Sequence, residues 1–335
     1  GANSELTVTF SEAVFTTTGG GSLVPGDFTL SMAGGVATIA SFDSVAKTSD
    51  TEWVLAFTTA GIATGSERIT VVPASSSSIY DGANNAAAAT QSNNNLLLNE
   101  KVVPTLSSVS LISNNSNDTF AVHNDYVILT FTASETLSVA AVTFSSGGTP
   151  INSGRVTATG GGTAFTFFYR ALNTDPDGPI TFSEAFTDVA GNVGAPDNTV
   201  DDSSSVLLDT TAPTLGPVTI ASSGSPSTSW ATTNDVVTLS YTSNETLQTR
   251  PTVVFLSGSQ PVADRGNIIY ANSGNSYTAK YTPASGDTEG PVSYTITFTN
   301  QHLIAGTAVV GPTNGSSVTF DKTAPSFSNP SLNAN

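Results

Sequence analysis

The chain has 335 residues, of which 38% are hydrophobic and 10% charged, a length that suits two or three domains. Nine Lys and Arg stand against 26 Asp and Glu, for a formal net charge of −17. Such a surface repels nucleic acid and anionic membranes and suits divalent cations, basic partners or a salty medium. Cysteine is absent, which excludes thiolate metal sites and cysteine nucleophiles. No apolar run reaches the roughly 20 residues that span a bilayer, so no membrane insertion is expected in this span.

In chain order, the first regular signal is Leu6, Val8 and Phe10 alternating with Thr7 and Thr9, the period of a half-buried strand. Further short runs are Trp53–Phe57, Arg68–Val72, Val127–Phe131, Thr163–Tyr169, Val237–Tyr241, Ser276–Tyr281 and Val292–Phe298. Turn formers separate them at Gly19–Gly21, Gly160–Gly162, Asp175–Gly178 and Ser285–Asp287. No segment holds a 3.6-residue apolar period, and the run Ala86–Ala89 is too short for a helix.

The chain repeats itself. Asp209-Thr210-Thr211-Ala212-Pro213 returns as Asp321-Lys322-Thr323-Ala324-Pro325, and Glu100-Lys101-Val102-Val103-Pro104 is a weaker copy. A second block, Asn124 to Leu137, returns as Asn234 to Leu247, with a shortened version at Leu6 to Glu12. Boundaries are expected near residues 1–100, 101–209 and 210–322, with 323–335 starting a further repeat. The chain opens at the second strand of a repeat, so both ends are expected to be cut from a longer array. About seven short strands per repeat of about 110 residues predict an all-β chain of tandem immunoglobulin-like sandwiches. The paired cysteines of antibody domains are missing.

At the Asp-Lys-Thr-Ala-Pro block (321–325), the Ser-Glu-Thr corner (134–136) and the turn Asp188-Val189-Ala190-Gly191-Asn192, the chain resembles bacterial-type immunoglobulin-like repeats of large extracellular surface and adhesin-like proteins. The turn is degraded at Asp81 to Asn85 and largely lost from Asn300 to Gly306. The resemblance covers nearly the whole chain. It implies a tandem array at the cell surface or outside the cell, with neighbouring repeats of the same chain as the first partners.

An enzyme needs a constellation of groups, and none is visible. His123 and His302 lie in different repeats, and no nucleophile motif accompanies either. The carboxylate pairs Asp175/Asp177 and Asp287/Glu289 sit in Pro/Gly turns and read as turn residues or metal ligands. Calcium is the sharper expectation, because hard cations take six to eight oxygens and acidic residues recur at the repeat ends. The candidate ligands are Asp125, Glu135, Asp188, Asp209, Asp235, Glu245 and Asp321. The alternative is that Asp209 and Asp321 hydrogen-bond the short linkers. Sequons for N-glycosylation fall at Asn114, Asn117, Asn244 and Asn314.

The function expected is that of a structural stalk or spacer. The alternative is an adhesive module that binds glycan or protein through sandwich loops, with Trp230, Tyr270, Phe120 and Tyr80 as loop aromatics. Self-association into a filament or sheath through strand edges is a third expectation.

Overall fold

The computed structural model describes residues 2–17, 20–263 and 267–328. Gly19 of the expected Gly19–Gly21 turn and the last residues of the 323–335 segment lie outside that set. Among the described residues every regular element is a strand, apart from the short 3-10 turns Pro25–Asp27 and Ser153–Arg155. Among the described residues no helix is long and apolar enough to cross a membrane.

The strands form where the period of two places apolar side chains on one face. Val127, Leu129 and Phe131 are 0%, 0% and 3% exposed, while Ile128 and Thr130 between them are half-buried. Val237, Leu239 and Tyr241 do the same work in the next copy.

In the middle of the chain one sheet runs in the order Thr157–Gly161, Ala164–Arg170, Tyr126–Ala133 and Leu106–Ser113. The facing sheet runs Phe120–Ala121, Leu207–Leu208, Gly178–Asp188, Leu137–Ser146 and Thr149–Pro150. Leu129, Phe131 and Phe167 from the first meet Phe144, Phe182 and Leu208 from the second in one core. The last third repeats this arrangement strand for strand. Ile269–Ser273, Ser276–Tyr281, Val237–Thr242 and Thr219–Ser222 face Trp230–Ala231, Thr319–Phe320, Gly290–Thr297, Thr252–Ser257 and Gln260–Pro261. These are immunoglobulin-like β-sandwiches in tandem. In each, the exit strand pairs in parallel with a short strand near the entrance, Phe120 with Leu207 and Trp230 with Thr319, which ties the start of a repeat to its end.

The first sandwich is looser. Glu5–Thr9 pairs with Glu52–Ala60 but has no strand along its other edge among the described residues. Leu106–Ser113 and Thr219–Ser222 fill that place in the later copies. A cavity of about 450 Å³ lies there, lined by Leu6, Val8, Phe10, Phe28, Val71 and Ile79 among others. Leu6, Val8 and Phe10 are accordingly half-buried rather than buried.

Candidate functional site

One turn closes each sandwich at one end, which in the second and third repeats is the end where the previous repeat enters. In the second repeat the backbone N–H of Asp188 donates to Asn192 O (3.1 Å), and Gly191 N–H donates back to Asp188 O (3.4 Å). Asp81 and Asn85 make the same bond at 3.0 Å in the first repeat, and Asn300 and Ile304 at 3.0 Å in the third. The turn that the sequence suggests is lost in the third repeat is therefore present. The side-chain carbonyl of Asn300 accepts from His302 N and Ile304 N at 3.0 and 2.9 Å, as the Asp188 carboxylate accepts from Asn192 N at 2.8 Å. An amide oxygen serves the turn as well as a carboxylate does, and this is why the motif could change without loss of the fold. The left-handed position is filled by Asn84, Gly191 and Leu303 at φ 70°, 91° and 67°.

At the first junction this turn gathers three carboxylates. Glu100 arrives from the first repeat, Glu135 follows the strand Tyr126–Ala133, and Asp188 ends Gly178–Asp188; a carboxylate oxygen from each lies within 4.8 Å of the others. The Asn192 amide donates to Glu100 Oε2 at 2.5 Å and Asp188 Oδ2 at 2.8 Å. Oε1 of Glu135 is buried and has no hydrogen-bond partner. Burial, then the charges of Glu100 and Asp188, raise the Glu135 carboxyl above its ordinary value. Burial also pushes the Asp188 carboxyl up, but bonds from the Asn192 side chain and the turn N–H groups outweigh it and hold it low. The set is three hard oxygen donors with one orphaned oxygen, which fits a hard cation such as calcium.

The second junction is built on the same positions with different chemistry. Asp209 stands where Glu100 does, Glu245 where Glu135 does, and Asn300 where Asp188 does. The Asn300 amide donates to Asp209 Oδ2 at 2.8 Å and to Glu245 Oε2 at 3.2 Å. His302 adds a further contact, its Nδ1 lying 2.5 Å from Asp209 Oδ2. Its ring packs on Phe120 of the preceding repeat, with centroids 4.1 Å apart. Here N–H donors already serve the two remaining acids.

The segments that leave the second and third repeats are clamped from the other side by turn carboxylates. Asp177 accepts from Thr210 N at 2.6 Å and from the hydroxyls of Thr210 and Thr211. Glu289 accepts from Lys322 N and Thr323 Oγ1, both at 2.7 Å. Asp175 is paired with Arg155 at 2.5 Å and accepts from Leu172 N at 2.9 Å. Asp287 accepts from Ala263 N and Ala284 N.

Of the seven expected ligands, Glu135 and Asp188 meet at the first junction and Asp209 and Glu245 at the second. Asp125 lies at the opposite end of Tyr126–Ala133 from Glu135, bonded to Asn115 and Val122 N. Asp235 is bonded to Thr232 within its turn and to Ser223 on the segment beside it, and Asp321 accepts from Thr323 N at 2.9 Å. Asn114, Asn117, Asn244 and Asn314 are all exposed. Among the loop aromatics, Trp230 is 54% exposed, whereas Tyr270 lies under the Arg250 guanidinium at 3.8 Å and Phe120 is covered by His302. Glu100 and His302 are the junction residues that the sequence reading missed.

No family model matches the chain, and no curated protein matches it. Solved structures do. A three-immunoglobulin-domain titin fragment carrying an E-to-A mutation is 9% identical, over 89% of this chain and 88% of that one, at a TM-score of 0.44. An I-band fragment from titin is 12% identical over 66% of each chain at 0.39. A further titin tandem is 11% identical over 95% and 92% at 0.26. These are likenesses of fold, and the assignment to tandem immunoglobulin-like sandwiches rests on the sheets described above.

Proposed function

We propose that this chain is a spacer segment of a large extracellular surface or appendage protein, in which sandwiches joined by short clamped linkers hold a fixed distance. The observation that carries this is the double clamp at Asp209–Thr211. Asp177 grips the linker from the preceding repeat, and Asn300 and His302 grip it from the following one. Bonds on both sides of a linker resist bending, which a spacer needs and a freely jointed chain lacks. At the first junction Glu100, Glu135 and Asp188 would hold a calcium ion, which would satisfy the acids there as the contacts from Asn300 and His302 do at the second. The test is single-molecule stretching: separate unfolding events, each releasing roughly 35 nm of chain per repeat, support the spacer, and featureless extension at low force contradicts it.

An adhesive role would rest on Trp230, whose ring is open to solvent. Saturable binding on a glycan array that is lost in Trp230→Ala would support it.

A further inference from the structure

The second repeat buries a carboxylate where its neighbour buries a hydrocarbon. Along Gly178–Asp188 the inward positions are Ile180, Phe182, Glu184, Phe186 and Asp188. The corresponding inward run of the third repeat is Val292, Tyr294, Ile296, Phe298 and Asn300. The two stretches match residue for residue, since Gly194 packs against the Phe186 ring as Gly306 packs against Phe298. Glu184 thus replaces Ile296. It is 1% exposed, and neither of its side-chain oxygens has a hydrogen-bond partner. A buried carboxylate left unpaired is costly.

Its surroundings are altered in the same sense. Ile296 pairs across strands with Val309, and Glu184 pairs at the same place with Asp197, whose backbone carbonyl accepts from Glu184 N at 2.8 Å. Residues directly opposite on antiparallel strands project to one face with Cβ atoms about 5 Å apart, so Asp197 stands beside Glu184. Thr313 Oγ1 accepts from Val218 N at 3.0 Å, and Asp201 Oδ2 accepts from Val109 N at 2.9 Å in the equivalent clasp. A hydroxyl suffices there, and the carboxylate brings a second oxygen that the clasp does not use. Three neutral residues, Ile296, Val309 and Thr313, are therefore three acids in the second repeat. Glu184 is buried, Asp197 half-buried and Asp201 exposed. Among the described residues the salt-bridge contacts are Lys47–Asp50, Arg155–Asp175 and His302–Asp209, the last charged only if the ring is protonated, and none reaches these acids.

We infer that Glu184, Asp197 and Asp201 form a divalent-cation site inside the second repeat, separate from the junction and of the calcium class by its all-oxygen donors. Their carboxylate oxygens do not all lie within 4.8 Å of one another, as those of the junction trio do, and Asp197 Oδ1 accepts from Thr199 N and Thr199 Oγ1, both at 2.9 Å. Glu184 would supply the inner oxygens, and the two aspartates would have to swing in to close over the ion. Burial, then the charges of Asp197 and Asp201, push the Glu184 carboxyl up to about 8. At neutral pH a calcium ion entering therefore displaces the Glu184 proton to the buffer. The neighbouring strand adds no charge, since Val142 stands opposite Glu184.

The test is calcium titration by calorimetry on the whole chain carrying Glu135→Gln and Asp188→Asn, so that junction binding does not contribute. Calcium is taken to about 5 mM, above the roughly 0.1–1 mM range of extracellular modules. One ion per chain is expected, and none when Glu184→Ile, Asp197→Val and Asp201→Thr are added, which installs the residues of the third repeat and should preserve folding. Glu184→Gln alone, nearly isosteric, should weaken binding at least tenfold. An undiminished stoichiometry in the added triple variant, or no binding in the junction-silenced parent, overturns the site. Junction binding is read separately from the loss between the unmodified chain and the silenced parent.

Discussion

Asp188 and Asn300 hold the same place in successive repeats, each opening the turn that meets the incoming linker, and the exchange of carboxylate for amide decides what the junction needs. Asp188 faces two other acids with one amide to serve them. Asn300 is itself the donor that bridges Asp209 and Glu245. Asn300→Asp should therefore turn the second junction into an acid trio with only the His302 ring beside it. In chelator the third repeat is expected to lose about 1–3 kcal/mol, and calcium should restore part of it. Denaturant unfolding with and without calcium measures both.

Glu184 makes stability fall as pH rises. Unfolded, the group releases its proton near 4.5; folded, it keeps it to about 8. Between these values the folded state binds more protons, so stability declines by roughly 1.4 kcal/mol per pH unit at most and then levels. In chelator, the difference between Glu184→Ile and the unmodified chain should widen from pH 5 to 8. A difference that stays constant across that range would mean that Glu184 is not held protonated.

Glu67 acts in the opposite sense. Burial pushes its carboxyl up, but the N–H groups of Ala37, Val36 and Thr64 bond to it and bring it down to about 2. Its contribution is present above the ordinary value of 4.5 and is lost as pH falls toward 2. Glu67→Gln should flatten the acid limb of first-repeat unfolding, read from Trp53 fluorescence.

Leu303 occupies the left-handed region at φ 67° and is 60% exposed. A branched side chain there costs roughly 1–2 kcal/mol, and little packing would be lost with it. Leu303→Gly should stabilise the third repeat by about 1 kcal/mol, seen as a raised denaturation midpoint with unchanged slope.

The sandwich was legible because period-two alternation and turn chemistry are local properties. Trp53–Phe57 and Val292–Phe298 needed no long-range information to be read as strands. The junctions were partly legible: Glu135, Asp188, Asp209 and Glu245 stood out as acids at repeat ends. Glu100 was visible in the weak linker copy, at the position of Asp209, but its meeting with Glu135 and Asp188 is a contact across the junction that the linker alone does not spell. His302 was hidden because its contacts with Asp209 and Phe120 span a junction and its turn no longer spells the motif. Glu184 could have been found, since the alternation Ile180, Phe182, Glu184, Phe186 already points it inward. Asp125 and Asp235 were misleading for a physical reason: carboxylates that hold turns have the same composition as carboxylates that hold metals.

The central claim is that clamped linkers make the chain a spacer, and small-angle X-ray scattering in solution tests it most directly. Strands of about ten residues at ~3.3 Å each give roughly 30–40 Å per repeat, so a single narrow distance distribution reaching about 100–120 Å is predicted. Asp177→Ala combined with Asn300→Ala should broaden it. A broad distribution for the unmodified chain, as for sandwiches tethered by free linkers, would contradict the account.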